Sequence, residues 1–273
     1  AIVAGVAYGD RDWRSPEAEA ARQAAAKARG ELAEIEAALE RITGASHKVL
    51  GCGRTDAGVH GLNYPAHFQS VAELSAAKWQ AALNGVLPRD IAVKAVQEMP
   101  AGFHARHSSH GKRYLYLLHN AAHRNPFSEH YSWWLRRPLD VVAMQSAADS
   151  LLGTHDFTSF RAARCSAPDP VKTLREFQFL KTNSPWGNLR CEVEANSFLQ
   201  HMVRILVGTC VEVGLGSRSV ESVRAALEGQ DRRLAGKTAP AGGLYQLRVI
   251  YPDGLVQWPV GAEQNPFTEP ESC

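Results

Sequence analysis

No stretch of this 273-residue sequence stays apolar for the roughly 20 residues that a membrane-spanning helix needs. The most apolar window, residues 198–213, is broken by Gln200, His201, Arg204 and Glu212. The opening AIVAGVAY meets Asp10, Arg11 and Asp12 too soon for a secretory signal, so the cytoplasm is the expected compartment, with no membrane partner. Cysteine is scarce. Cys52, Cys165, Cys191, Cys210 and Cys273 form no CxxC pair and leave an odd one over, which argues against a zinc ribbon and against a disulfide framework. They are expected to be reduced, mostly buried thiols. Histidine is plentiful but lacks metal-ligand spacing: there is no HExxH, and His104, His107 and His110 read as polar loop, so no metal is expected. Net charge is also low. A balance of +2 does not advertise nucleic-acid binding, so any basic surface must come from local segregation.

What is present is a chemically loaded turn. Residues 53–61, GRTDAGVHG, place Asp56 among Gly53, Gly58 and Gly61, directly after Arg54 and Thr55. Glycines permit backbone conformations closed to other residues and let a ligand approach the main chain. An Asp beside Gly often does no more than hydrogen-bond its own turn. A phosphate loop is excluded, since no lysine follows the last glycine; Val59 and His60 lead into Gly61 instead.

Hydrophobic periodicity organises the rest. Residues 2–8 alternate as a strand, and a helix from Ser15, with Pro16 in its first turn, runs to Gly44 with Leu32, Ile35, Leu39 and Ile42 on one face. Strands at 48–52 and 64–68, a helix at 74–83 and a strand at 91–96 complete a β-α-β-β-α-β order. The second half repeats it: strand 112–119, helix 141–152, strands 174–180 and 189–193, helix 198–213, and strand 244–251, with a short helix 220–227 inserted. The reading is an α+β fold of two ferredoxin-like subdomains, residues 1–105 and 106–260, whose sheets form a central RNA-binding cleft. A flexible tail, 261–273, follows.

Two side chains stand out on these elements. Alternation puts Lys112, Tyr114 and Tyr116 on one strand face, where Tyr114 can be core or can face a cleft. Arg204 lies between Met202, Val203, Ile205 and Leu206, so its guanidinium either snorkels to water or has a partner. Basic residues cluster near aromatics: Lys112 and Arg113 open an aromatic strand, and Arg161 and Arg164 follow DFTSF, which contains Phe157. Cations track phosphates while aromatic and guanidinium planes stack on unpaired bases, which makes RNA the expected partner.

GRTDAGVHG resembles the active-site signature of the tRNA pseudouridine synthase A family. FHAR at 103–106, KRYLY at 112–116, DFTSF at 156–160, HMVR at 201–204 and APAGGLY at 239–245 are similar in the same order, so the resemblance covers roughly residues 45–252. It implies two plait subdomains around a cleft, a homodimer holding tRNA, and a cofactor-free isomerase making pseudouridine in the anticodon stem-loop at positions 38 to 40. Asp56 is then the catalytic residue, Tyr114 the active-site tyrosine that stacks on the base, and Arg204 the partner of Asp56, keeping it ionised. Arg54 displaces and holds the target nucleotide. Lys112, Arg113, Phe157, Arg161 and Arg164 complete the expected RNA-binding set. A noncatalytic RNA-binding protein of the same fold, its acidic turn purely structural, is the alternative. The chain departs from the family at residues 8–23, YGDRDWRSPEAEAARQ, where the family carries a Gly-Trp-Gln element.

Overall fold

The computed structural model describes residues 2–8 and 30–258. The expected helix before Gly30, the atypical segment that contains Trp13, and the tail at 261–273 lie outside them. The described chain divides into two compact units, one built from residues 2–8, 30–110 and 246–258, the other from 111–245.

In the first unit the elements are β1 (Ile2–Tyr8), α1 (Glu31–Thr43), β2 (Leu50–Gly51), β3 (His60–Phe68), α2 (Ala76–Val86), β4 (Ile91–Glu98) and the later part of β10 (Leu244–Ile250). β1 lies between β3 and β4, antiparallel to both, while β2 pairs with β3 and β10 lies next to it. Acidic Glu31 and Glu34 suit the positive end of α1, Arg41 suits its last turn, and Gly44 closes it at φ 74, donating to the Glu40 carbonyl. Ile35, Ala38 and Leu39 form the buried stripe, with Leu32 and Ile42 at its margins. In α2, Ser75 caps the Lys78 amide and Trp79 and Leu83 face inward. The Trp79 ring meets Phe68 edge-on at 5.3 Å, joining helix to sheet. Along β4, Ile91, Val93 and Ala95 alternate inward, as a half-buried strand requires.

The second unit holds β5 (Gly111–Asn120), β6 (Trp133–Leu135), α3 (Val141–Asp149), β7 (Gly153–Asp156), β8 (Val171–Ser184), β9 (Gly187–Ala195), α4 (Met202–Gly214) and α5 (Val220–Gly229). Its strands run in the order β5-β9-β8-β7, antiparallel throughout, with β6 parallel to β5. Register puts Tyr114 opposite Val193 and Val193 opposite Phe177, so three strands present one apolar row. A bulge between Leu174 and Glu176 moves the buried positions of β8 from even numbers to Phe177 and Phe179. Along α4 only Arg204 and Glu212 keep partial exposure; everything else is buried, as for a helix wrapped on all sides. Among the described residues no disulfide joins the cysteines: Cys52, Cys191 and Cys210 are buried and Cys165 is half-buried.

Candidate active site

Asp56 sits in the connection between β2 and β3, at the start of a tight turn. The Val59 amide donates to the Asp56 carbonyl at 3.1 Å, and Gly58 takes φ 80 at the position a type II turn reserves for glycine. Of the three glycines expected to supply backbone freedom, Gly58 alone uses a left-handed conformation. Gly61 pairs with Tyr8 inside β3, and Gly53 serves through its carbonyl, which accepts the Tyr64 hydroxyl. Burial pushes the Tyr64 phenol well above its ordinary pKa, so it stays a donor at physiological pH. Gly51 is glycine because a Cβ there would meet the Tyr64 ring at 2.7 Å. Below the turn, Gln246 donates to Cys52 Sγ and to the Asn63 carbonyl, both at 3.2 Å. Arg54 is exposed, Thr55 and Asp56 are half-buried, and Val59 and His60 are buried. The turn therefore carries an exposed arginine and a half-buried aspartate on a braced base.

Within the second unit, Arg204 and Tyr116 meet at one loop. Arg204 Nε donates to the Ala239 carbonyl at 2.7 Å, and the Tyr116 hydroxyl donates to the next carbonyl, Pro240, at 2.8 Å. Tyr116 has no exposed surface, and burial drives its pKa far up against the opposing pull of the Arg204 charge. Tyr114, 9% exposed, stands edge-on to Phe198 with ring centroids 5.1 Å apart. Leu115 and Leu117 are as buried as Tyr116, so both faces of β5 are covered and simple alternation does not assign a solvent face.

The expected RNA-binding residues fall into two groups. Arg54 and Arg164 are exposed, and Lys112 and Arg161 half-buried. Arg113, by contrast, is engaged by Glu176 and, at 3.4 Å, by Glu192, and these carboxylates raise its pKa against the burial that lowers it. Phe157 has no exposed surface; it packs against Phe160 and His155 as a core residue, and Asp156 and Ser159 tie down the same segment through Thr158 N and the Ala226 carbonyl. Both were singled out because charge and aromaticity are visible in sequence while burial and ion pairing are not.

Among the described residues no group of three or more His, Cys, Asp or Glu side chains is placed to hold a metal ion. The His67, His104 and His107 rings do lie against one another in tilted contacts, with centroids at 4.8 and 4.3 Å, but Nδ1 of His67 accepts the Ala105 amide and Nδ1 of His104 accepts the Arg106 amide. The sequence assigns no role to Tyr64, Tyr116, Thr209 or Glu212; the available signals were Tyr116 two positions from Tyr114 on one strand and Glu212 as a charge within the apolar window 198–213.

A family model described as tRNA pseudouridine synthase matches residues 147–252. Curated proteins called tRNA pseudouridine synthase A are similar over most of their length. That of Geobacillus kaustophilus is 45% identical over 81% of this chain and 84% of its own. That of Brevibacillus brevis is 44% identical over 80% and 88%, and that of Bacillus subtilis 40% identical over 78% and 87%. A solved structure, "Crystal Structure of a Cbf5-Nop10-Gar1 Complex", aligns with 91% of this chain and 50% of its own at 15% identity and a TM-score of 0.32, too low to bear on the fold. Identity of this extent, over four fifths of the sequence, makes the chain a member of the tRNA pseudouridine synthase A family.

Proposed function

We propose that this protein isomerises uridine to pseudouridine in tRNA, at positions 38 to 40 of the anticodon stem-loop, with Asp56 as the covalent catalyst. The observation that supports the reading is the braced turn that carries Asp56 in a chain of this family. Asp56 acts on the uridine so that the bond from C1′ to N1 breaks; the uracil rotates, C1′ joins C5, the C5 proton is lost and N1 gains one. Tyr114 stacks on the target base and assists removal of that proton. Arg204 pairs with Asp56, and Arg54 holds the displaced nucleotide. Extruding a base from a stem costs a few kcal/mol, which contacts from arginines and aromatics offset.

Lys112, Arg161 and Arg164 are the proposed phosphate contacts. Arg113 and Phe157 belong to the support of that surface, given their ion pairs and burial. The subdomains are proposed to be ferredoxin-like, a reading supported in the first by β3 and β4 flanking β1 with β2 on β3, and their sheets to line the RNA cleft. The same proposal makes the enzyme a cytoplasmic homodimer that uses neither metal nor cofactor; activity that survives exhaustive chelation is its test.

Asp56→Asn tests the chemistry. The variant should bind unmodified tRNA transcript as the parent does and form no pseudouridine. Full turnover by Asp56→Asn would overturn Asp56 as the catalyst, and a parent protein that binds tRNA but forms no pseudouridine would leave an RNA-binding protein with a structural acidic turn.

A further inference from the structure

Arg204 is held by a segment that nothing in its own helix requires. Residues 235–240 lie along α4 and are fixed to it at three levels. Nearest the helix start, Ala239 and Arg204 bond reciprocally: Arg204 Nε to the Ala239 carbonyl at 2.7 Å, and the Ala239 amide to the Arg204 carbonyl at 3.0 Å. Further along, the Gly236 amide donates to Thr209 Oγ1 at 2.9 Å. Last, the Lys237 amide donates to Glu212 Oε1 at 2.9 Å, while Oε2 of the same carboxylate accepts Arg218 Nε at 3.2 Å. Two glycines permit this contact. A Cβ on Gly208 would run into the Lys237 carbonyl, and one on Gly236 would meet the Thr209 Cα at 2.7 Å. Thr209 is fully buried.

The segment then presents successive carbonyls to two functional groups, Ala239 to Arg204 and Pro240 to Tyr116. A guanidinium has five N–H donors in a fixed plane, so a bond through Nε sets the plane and thereby the direction of the four protons on Nη1 and Nη2. Thr209 is five residues beyond Arg204, about 7.5 Å along the helix axis, and Glu212 about 12 Å. Neither is placed to touch a reacting atom through that bond network; each fixes the backbone that fixes Arg204.

We propose that residues 235–240 are a template that sets the orientation of Arg204, and that Thr209, Glu212 and Tyr116 are positioning residues of the reaction. This rests on the reading of Arg204 as a catalytic group. A misplacement of about 1 Å can lower a rate roughly 100-fold without weakening substrate binding.

Single-turnover pseudouridine formation and tRNA binding are measured for Thr209→Val, Tyr116→Phe and Glu212→Ala, with circular dichroism and melting to confirm that each is folded. The expected result is a rate about 10- to 100-fold lower with tRNA affinity unchanged. Thr209→Ser and Glu212→Gln, which restore the acceptor oxygen, should recover most of that loss; a residue needed only for stability would change melting and leave the rate per folded molecule intact. Should Thr209→Val not fold, Tyr116→Phe and the Glu212 pair carry the test. Folded variants that all turn over within about twofold of the parent overturn the template. Arg204→Lys separates the two readings: if it is inactive while the three variants are fully active, the template alone fails, and if it is active too, the catalytic role of Arg204 fails with it.

Discussion

One hydroxyl, eleven residues along the chain from the glycine it serves, governs how the Asp56 turn is held: Tyr64 donates to the Gly53 carbonyl from within β3. Removing it as Tyr64→Phe should lower stability by about 1 kcal/mol, the usual net worth of such a bond. The rate of pseudouridine formation should fall further than that figure suggests, because the turn loosens while tRNA binding stays; urea unfolding and single-turnover assays read the two effects separately. Gly51→Ala should cost about 1–3 kcal/mol through overlap with the Tyr64 ring at 2.7 Å, and most of that penalty should vanish in a Tyr64→Leu background. Gly58 makes a different demand. At φ 80 any residue with a Cβ is strained, so Gly58→Ala should reduce the rate through the turn itself rather than through packing. Asp56 was legible because a carboxylate set among glycines beside an arginine is visible in four or five letters. Tyr64 was not, since its relation to Gly53 exists only after β3 has formed.

Between β4 and β5 a short segment depends on uncharged histidines. His67 in β3 is buried, and burial together with the neighbouring His104 lowers its pKa from the ordinary 6.5, against a bond to the backbone of Leu50 that raises it; His104 is lowered likewise by burial and by His107. Each uses Nδ1 as an acceptor for a backbone amide, at 3.2 and 3.1 Å, and protonation removes that acceptor. With folded values depressed, the unfolded chain takes up protons first as pH falls. The stability these histidines lend is therefore present above pH 6.5 and is lost as pH drops through their lower folded values. Melting temperature should decline from pH 7 to pH 5, and His67→Asn should flatten part of that decline. At this scale the sequence was informative where periodicity was long: the expected helices at 141–152 and 220–227 and the strand at 112–119 correspond to α3, α5 and β5. It failed for β6 and β7, which have three and four residues and too few positions to show a period. It also shortened β3, where His60 and Asn63 are buried at polar positions that break apolar alternation.

The whole chain carries a net charge of only +2, so its affinity for RNA rests on placement of cations. About six phosphate contacts would give a slope of log affinity against log salt of roughly −4 to −5. Filter binding of tRNA between 50 and 200 mM salt measures this, and a flat response would contradict the proposed partner. Replacing Arg161 and Arg164 together should lessen the slope by about two contacts' worth, whereas replacing Arg113 should change stability through Glu176 and Glu192 more than it changes the slope. Assignment of residues 246–258 to the first unit had no local signal, because periodicity reports what an element is and says nothing of which body it joins. The distribution of thiols has a practical corollary. Cys52 is sealed, and burial holds Cys191 and Cys210 far above the range in which a thiolate forms, leaving Cys165 beside Arg164 as the reactive sulfur among the described residues. With Cys273 changed to serine, a maleimide fluorophore should attach at that one point in the native state, giving a reporter next to two proposed phosphate contacts whose emission tracks each arrival and departure of tRNA.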